Sequence, residues 1–303
     1  MYCFHPLIVK DKKHPTIERQ VPCGKCPACR RAYQLQWIVR LKEELKHSAA
    51  GYFVTLTYED SQNPCFDKKR VQKFLNRLQH KVKYHGSSLK YFLISEYGDT
   101  TGRPHHHALF FLSKYIDNFS AFIAKGWPFG FIQVGDISDR RINYVTQYCL
   151  KKRGTANAVD WSEYPDELNP NKCKFISQGL GLGYLSDAIK NYHKQGLVTR
   201  YQIDLLYSKL PRYYMDKIFT EDELEQIKLT NRCYVRAQQT KLLRKFGLKC
   251  VHGVGGRIYV QPDDNRLEFY DPDGHLKHQI IELKRCAALE ERWHRHRLNR
   301  KML

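Results

Sequence analysis

The sequence predicts an α+β fold built on an antiparallel sheet with helices packed on one face. Residues 91–112 (YFLISEYGDTTGRPHHHALFFL) place two β-prone runs, Tyr91–Ile94 and Ala108–Leu112, on either side of a Gly98–Gly102 turn, the pattern of an antiparallel hairpin. Apolar residues at helical spacing recur between further strand-like runs. From residue 52 to residue 152 the order reads strand, helix, strand, strand, helix, strand, helix.

Residues 28–47 read as a helix, with Trp37, Leu41 and Leu45 at i, i+4, i+8, Ile38 alongside, and Arg30, Arg31, Arg40 and Lys42 on much of the remainder. Tyr52–Tyr58 is rich in aromatic and β-branched residues and reads as a strand. Asp67 is placed to cap a second helix whose stripe is Val71, Phe74, Leu75, Leu78 and Val82. Its other positions carry Lys68, Lys69, Arg70, Lys73, Arg77 and Lys81, and among these Lys69, Arg70, Lys73 and Arg77 are candidate phosphate contacts. A short helix over Asn118–Ala124 leads through Trp127-Pro128 to a strand at Phe129–Val134. Ser138 caps the helix RRINYVTQYCLKK (140–152), which buries Ile142, Val145 and Cys149. Tyr144, Tyr148 and Lys151 stand at i, i+4, i+7 and share an adjacent face, with Lys152 a further DNA-contact candidate.

Beyond this, 153–173 is a polar connection, and GLGLG (179–183) lacks the G-x-G-x-x-G spacing of a dinucleotide loop. Thr220 and Glu223 form a capping box for a helix through about Phe246. Arg257–Val260 and Leu267–Tyr270 suggest a small hairpin, DPDG (271–274) a turn, and 292–301 a basic helical tail. Four segments follow: a Cys-rich segment and helix (1–50), a core (51–152), an extension of the core (153–217), and a basic, mainly helical C-terminal region (218–303).

Composition narrows the partners. Of 303 residues, 51 are Lys or Arg and 31 Asp or Glu, so 51 − 31 gives +20, and aromatics make up 13%. That combination is the footprint of a nucleic-acid binder rather than of a membrane-surface protein. No apolar run has membrane-spanning length and Met1 opens no signal-peptide pattern, which predicts a cytoplasmic protein. Ten cysteines in such a protein point to metal binding or inert burial rather than disulfides.

Two groups have metal-ligand spacing. Strand alternation puts His105 and His107 on one face and His106 on the other, with Glu96 able to lie across from the pair, a donor set for a divalent cation. Cys23-x2-Cys26-x2-Cys29, with Cys3 as fourth ligand, fits a structural zinc, and the same run also fits iron–sulfur ligation.

Glu96, His105-His106-His107 and Tyr144-x3-Tyr148-x2-Lys151, together with PCGKCPACR (22–30), FVTLTY (53–58), WPFGFIQVG (127–135) and LPRYYMDK (210–217), give the chain a family likeness. It resembles the HUH endonuclease superfamily, and more closely the rolling-circle replication initiators of Microviridae phages of the gokushovirus type. The likeness extends over roughly the first 217 residues. It implies an RRM-like antiparallel sheet with H-x-H on a central strand, and a catalytic Mg²⁺ or Mn²⁺ held by His105, His107 and Glu96. The residue between the histidines is usually bulky and hydrophobic, whereas here it is His106.

The implied reaction nicks single-stranded origin DNA by attack of Tyr144 or Tyr148, leaving a 5′-phosphotyrosyl link and a free 3′-OH, and later rejoins the displaced strand. Lys151 would stabilise charge at the phosphate. A host helicase and polymerase are the implied partners. A relaxase or single-strand transposase of the same superfamily is the alternative enzyme, and a non-catalytic zinc-containing DNA-binding regulator the alternative of another class.

Overall fold

Leu109 to Leu112 is apolar without a break, and a strand of that composition has to be covered on both faces. The computed structural model describes residues 7–10, 18–24, 26–59, 66–98, 102–148, 165, 168–170, 172–203, 206–230, 248–252 and 258–262. The chain divides into two compact units, Arg30–Tyr214, and Met1–Cys29 with Met215–Leu303.

In the terminal unit, β1 (Leu7–Lys10) pairs antiparallel with β2 (Glu18–Val21), a hairpin absent from the sequence reading. Helix α1 (Pro27–Lys46) starts with proline at its first position, where the missing N–H costs nothing. The larger unit then builds β3 (Ala50–Thr57), α2 (Lys68–Tyr84), β4 (Leu89–Tyr97), β5 (Pro104–Leu112), α3 (Phe119–Gly126), β6 (Ile132–Asp136), α4 (Asp139–Tyr148) and β7 (Phe175–Ile176). The five strands form one antiparallel sheet in the order β6-β3-β5-β4-β7, so β5 is central.

The α+β class stands, but helices cover both faces of this sheet. On one face Val54, Leu56, Leu93, Ala108, Phe110 and Leu112 pack with the α2 stripe Val71, Phe74, Leu75, Leu78 and Val82 and with Phe119 and Ile123 of α3. On the other, Phe53, Phe92, Ile94, Leu109 and Phe111 pack with Ile38 and Leu41 of α1 and Ile142 and Val145 of α4. The one-face expectation fails because β5 is buried along nearly its whole length. Adjacent Phe110 and Phe111 then each bury a ring on opposite sides, contributing roughly 1.5–3 kcal/mol apiece.

Local signals hold elsewhere. Asp67 accepts from Lys69 N and Arg70 N at the start of α2. β6 begins three residues later than the sequence suggested, at Ile132. Trp127 donates from its ring to Thr57 O, and a Cβ on Gly130 would lie 2.4 Å from that same oxygen, so residues 127–131 hook round the end of β3 before pairing begins.

GLGLG is no phosphate loop. Gly181 N donates to Glu44 Oε2 at 2.7 Å, while Leu180 O accepts from Arg40 and Gly181 O from Tyr214. Past it lie α5 (Asp187–Gln195), the β8 (Arg200–Ile203)–β9 (Leu206–Lys209) hairpin and α6 (Arg212–Ile218). Thr220 and Glu223 exchange the two bonds of a capping box before helical residues 221–230.

In the C-terminal region β11 (Ile258–Pro262) pairs with the upstream β10 (Leu248–His252). The sequence reading gave it Leu267–Tyr270 as partner. Residues 267–270, 271–274 and 292–301 lie outside the described residues. No helix among the described residues is long and apolar enough to cross a membrane.

Candidate active site

Register decides which side chains meet. β4 and β5 pair so that Glu96 stands opposite His105 and Ile94 opposite His107, and β3 places Thr55 beside His107 and Thr57 beside His105. Both imidazoles converge on one carboxylate oxygen: His105 Nε2 lies 2.8 Å and His107 Nε2 2.9 Å from Glu96 Oε1. The three donor atoms lie within 4.8 Å of one another, close enough to share one ion. Glu96 and His107 are buried, and His105 lies at the open margin.

The second ring nitrogens are anchored. His105 Nδ1 lies 3.1 Å from Arg103 O, and a carbonyl only accepts, so that nitrogen carries a proton. A neutral His105 then turns its Nε2 lone pair toward Glu96 Oε1. That contact becomes favourable with a second proton or with a cation between the two atoms. His107 Nδ1 is held by Thr55 Oγ1 at 3.1 Å, and its ring stacks on Phe53. Carbonyl and hydroxyl partners of this kind orient metal-ligating imidazoles. By the chemistry of its donors the group fits a divalent cation.

His106 faces the other way. It is fully buried, with Nδ1 2.7 Å from Ser95 Oγ and Nε2 2.9 Å from the Tyr58 hydroxyl, and Ser95 in turn donates to Cys173 O. Burial first, then the positive potential of His105 and His107, pushes its pKa down to about 3. His106→Ala is therefore expected to cost about 2–4 kcal/mol, through the lost ring and two stranded hydroxyls. Thermal melting of the variant measures it.

Tyr144 reaches the same face from α4. Its hydroxyl lies 3.4 Å from His107 Nε2 and its ring meets His107 edge-on at 5.1 Å. Ser138 Oγ caps the helix at Arg141 N, and Ile142 and Val145 seat it on the sheet. Helix α1 then fixes it through Gln34, buried, whose amide donates to Asn143 O and Thr146 Oγ1 at 3.3 Å each, and through Lys42 on Asp139 at 2.7 Å.

Residues 51–153 match a family model of replication-associated proteins, the one described by the name ORF2. The chain is a relative of the microvirus replication-associated proteins. It is 28% identical over 225 residues to the Replication-associated protein ORF2 of Spiroplasma virus 4, covering 67% of this chain and 68% of that one. With the Replication-associated protein ORF4 of Chlamydia phage 1 it shares 27% over 225 residues, 67% of this chain and 55% of the relative. The Replication-associated protein VP4 of Bdellovibrio phage phiMH2K is 28% identical over 220 residues, 64% and 66% of the two chains. The chain thus spans between about half and two thirds of these relatives' lengths.

The segment matched to these replication-associated proteins contains Glu96, His105, His107, Tyr144 and Tyr148. Tyr148 ends α4, but its side chain, like Lys151, Lys152 and Cys3, lies outside the described residues. The basic residues of α2 are brought elsewhere. Helix α2 covers the sheet face that holds His106, so Lys69, Lys73 and Arg77, all exposed, project on the side away from Glu96, His105 and His107. Arg70 is tied to Asp67 at 3.1 Å and lies over Phe129, and Arg77 donates to Gly126 O.

Cys23, Cys26 and Cys29 form a second donor group, also within 4.8 Å. Sequence reasoning missed Gln34, Thr55 and Thr146. A glutamine inside the apolar stripe of a helix was the available signal for the first.

Proposed function

We propose that the chain is a replication initiator of the HUH type that nicks single-stranded DNA through a tyrosine nucleophile. The observation that supports this reading most is the Tyr144 hydroxyl 3.4 Å from an imidazole that shares Glu96 Oε1 with a second one. Glu96, His105 and His107 would hold Mg²⁺ or Mn²⁺, whose positive charge offsets that of the scissile phosphate and favours attack on it.

The remaining work falls to the chain itself. The α4 backbone, seated by Ile142 and Val145 and clamped by Gln34, presents Tyr144 at the site with little freedom to lose. The phenolic oxygen forms a bond to phosphorus as the P–O3′ bond breaks. The proton lost from the phenol is balanced by the one taken up at the departing 3′ oxygen. The products are a 5′-phosphotyrosyl enzyme and a free 3′-OH that primes a host polymerase, with a helicase opening the duplex ahead. Tyr148, one helical turn on, would attack the regenerated junction, and the first 3′-OH then closes the displaced strand. Phosphoester energy is conserved in the covalent link, so strand transfer needs no nucleotide cofactor. Lys151 would steady charge on the phosphate.

The deciding experiment is incubation with single-stranded DNA carrying the phage origin and Mg²⁺ or Mn²⁺, followed by a denaturing gel. A DNA-shifted protein band that depends on metal is the expected result. A stable bound complex with no covalent product would leave only a DNA-binding protein.

A further inference from the structure

The Glu96–His105 pair continues across the sheet. His105 stands beside Thr57, and Thr57 N and Oγ1 both donate to Phe131 O at 2.9 Å, so Glu96, His105, Thr57 and Phe131 form one cross-strand row. Neighbouring strands lie about 4.8 Å apart, which sets Phe131 roughly 10 Å from His105. Ile132 packs into the α2-side core, so strand alternation turns Phe131 to the face of the candidate metal site. Phe131 is 75% exposed, a costly position for a benzyl ring at a sheet edge. Two residues earlier in the chain, Phe129 carries the Arg70 guanidinium 5.0 Å above its ring. Residues 127–131 therefore turn the corner of the sheet from the basic face of α2 to the site face.

We infer that this corner is the path of the DNA strand, with one nucleobase stacked on Phe131 and the backbone led on to phosphate contacts at Lys69 and Lys73. The inference rests on the nicking reading of the same site and adds its substrate track. The occupant follows from chemistry. The protein carries a net charge of +20, the corner pairs an open aromatic ring with cations, and a base flanking a phosphate at the site falls within reach of Phe131. Aromatic stacking with flanking positive charge is the combination that holds single strands without reading their sequence.

The test uses the full chain without divalent metal and a fluorescein-labelled oligothymidylate, read by anisotropy. Phe131→Leu is expected to weaken binding about five- to a hundredfold, since stacking contributes roughly 1–3 kcal/mol per base. Phe131→Trp should keep it. The salt slope should stay unchanged in Phe131→Leu and fall by about 0.7 for each of Lys69→Gln and Lys73→Gln. Wild-type affinity in Phe131→Leu would overturn the path and leave the nicking reading standing. Failure of the unaltered chain to bind any single strand would overturn both.

A separate observation carries a second proposal. Cys23 Sγ and Cys29 Sγ lie 4.0 Å apart, far beyond a disulfide, and Cys26 N donates to Cys23 Sγ at 3.3 Å. Four thiolates at about 2.3 Å round a tetrahedral zinc stand roughly 3.8 Å apart, close to that spacing. The first turn of α1 carries no acidic residue, and its N-terminal dipole favours thiolates at Cys26 and Cys29. We propose that these three cysteines hold a structural zinc, with Cys3 as fourth ligand. Elemental analysis of the purified full chain should find one zinc per chain, lost in Cys26→Ser, and chelation should lower the melting temperature. Metal-free protein would overturn the site, and iron with visible absorption would overturn zinc.

Discussion

His105→Ala, His107→Ala and Glu96→Gln are each expected to abolish formation of the covalent DNA adduct, a loss of roughly a thousandfold or more. A cation at this site is asked to supply several kcal/mol, and each 1.36 kcal/mol is a factor of ten in rate. The three side chains meet at a single oxygen, Glu96 Oε1, so removal of any one dismantles the donor set. Mn²⁺ titration followed by electron paramagnetic resonance should show affinity lost in the same three variants, independently of cleavage. His106→Ala is the control. Its ring lies on the far face among Tyr58, Ser95 and Phe66, so it should melt lower yet cleave normally per folded molecule. Equal loss of cleavage in folded His105, His106 and His107 variants would sink the division of labour between the two faces.

The double variant Tyr144→Phe/Tyr148→Phe should form no adduct at all while still binding single-stranded DNA. Loss of both hydroxyls removes the nucleophile but leaves the charge of the protein untouched. Each single variant should retain some adduct formation, unequally, because one helical turn separates the two positions and a single phosphate can meet either in turn. Binding by the double variant should fall by about 0.7 of a log unit per phosphate contact for each tenfold rise in salt. Denaturing gels and anisotropy read the two quantities separately. An adduct in the double variant would place the nucleophile elsewhere in the chain.

What the sequence discloses here is what short-range geometry controls. The α2 stripe, its Asp67 cap and the shared face of His105 and His107 are matters of periodicity and of bonds within a few residues. The opposed Glu96 needed only a hairpin register, set across a short turn. The rest depends on distant partners. Gln34 reaches Thr146 across 112 positions, and nothing in the local pattern of α1 announces it. Which face of the sheet α2 would cover is likewise a tertiary choice, so its lysines could be recognised as basic without revealing that they lie across the sheet from the histidines. The apolar run of β5 is compatible with burial on one face or two, and only the arrival of α1 and α4 decides it.

The chain of bonds from Tyr58 through His106 and Ser95 to Cys173 O has an evolutionary consequence. Position 106 touches no donor of the candidate metal site, so it can drift with the core behind it while the chemistry in front stays fixed. It cannot drift alone. An apolar residue there strands the hydroxyls of Tyr58 and Ser95, whereas apolar replacement of all three together can be nearly neutral. In lineages that carry a hydrophobic residue between the two histidines, positions 58 and 95 should therefore have changed in concert with it.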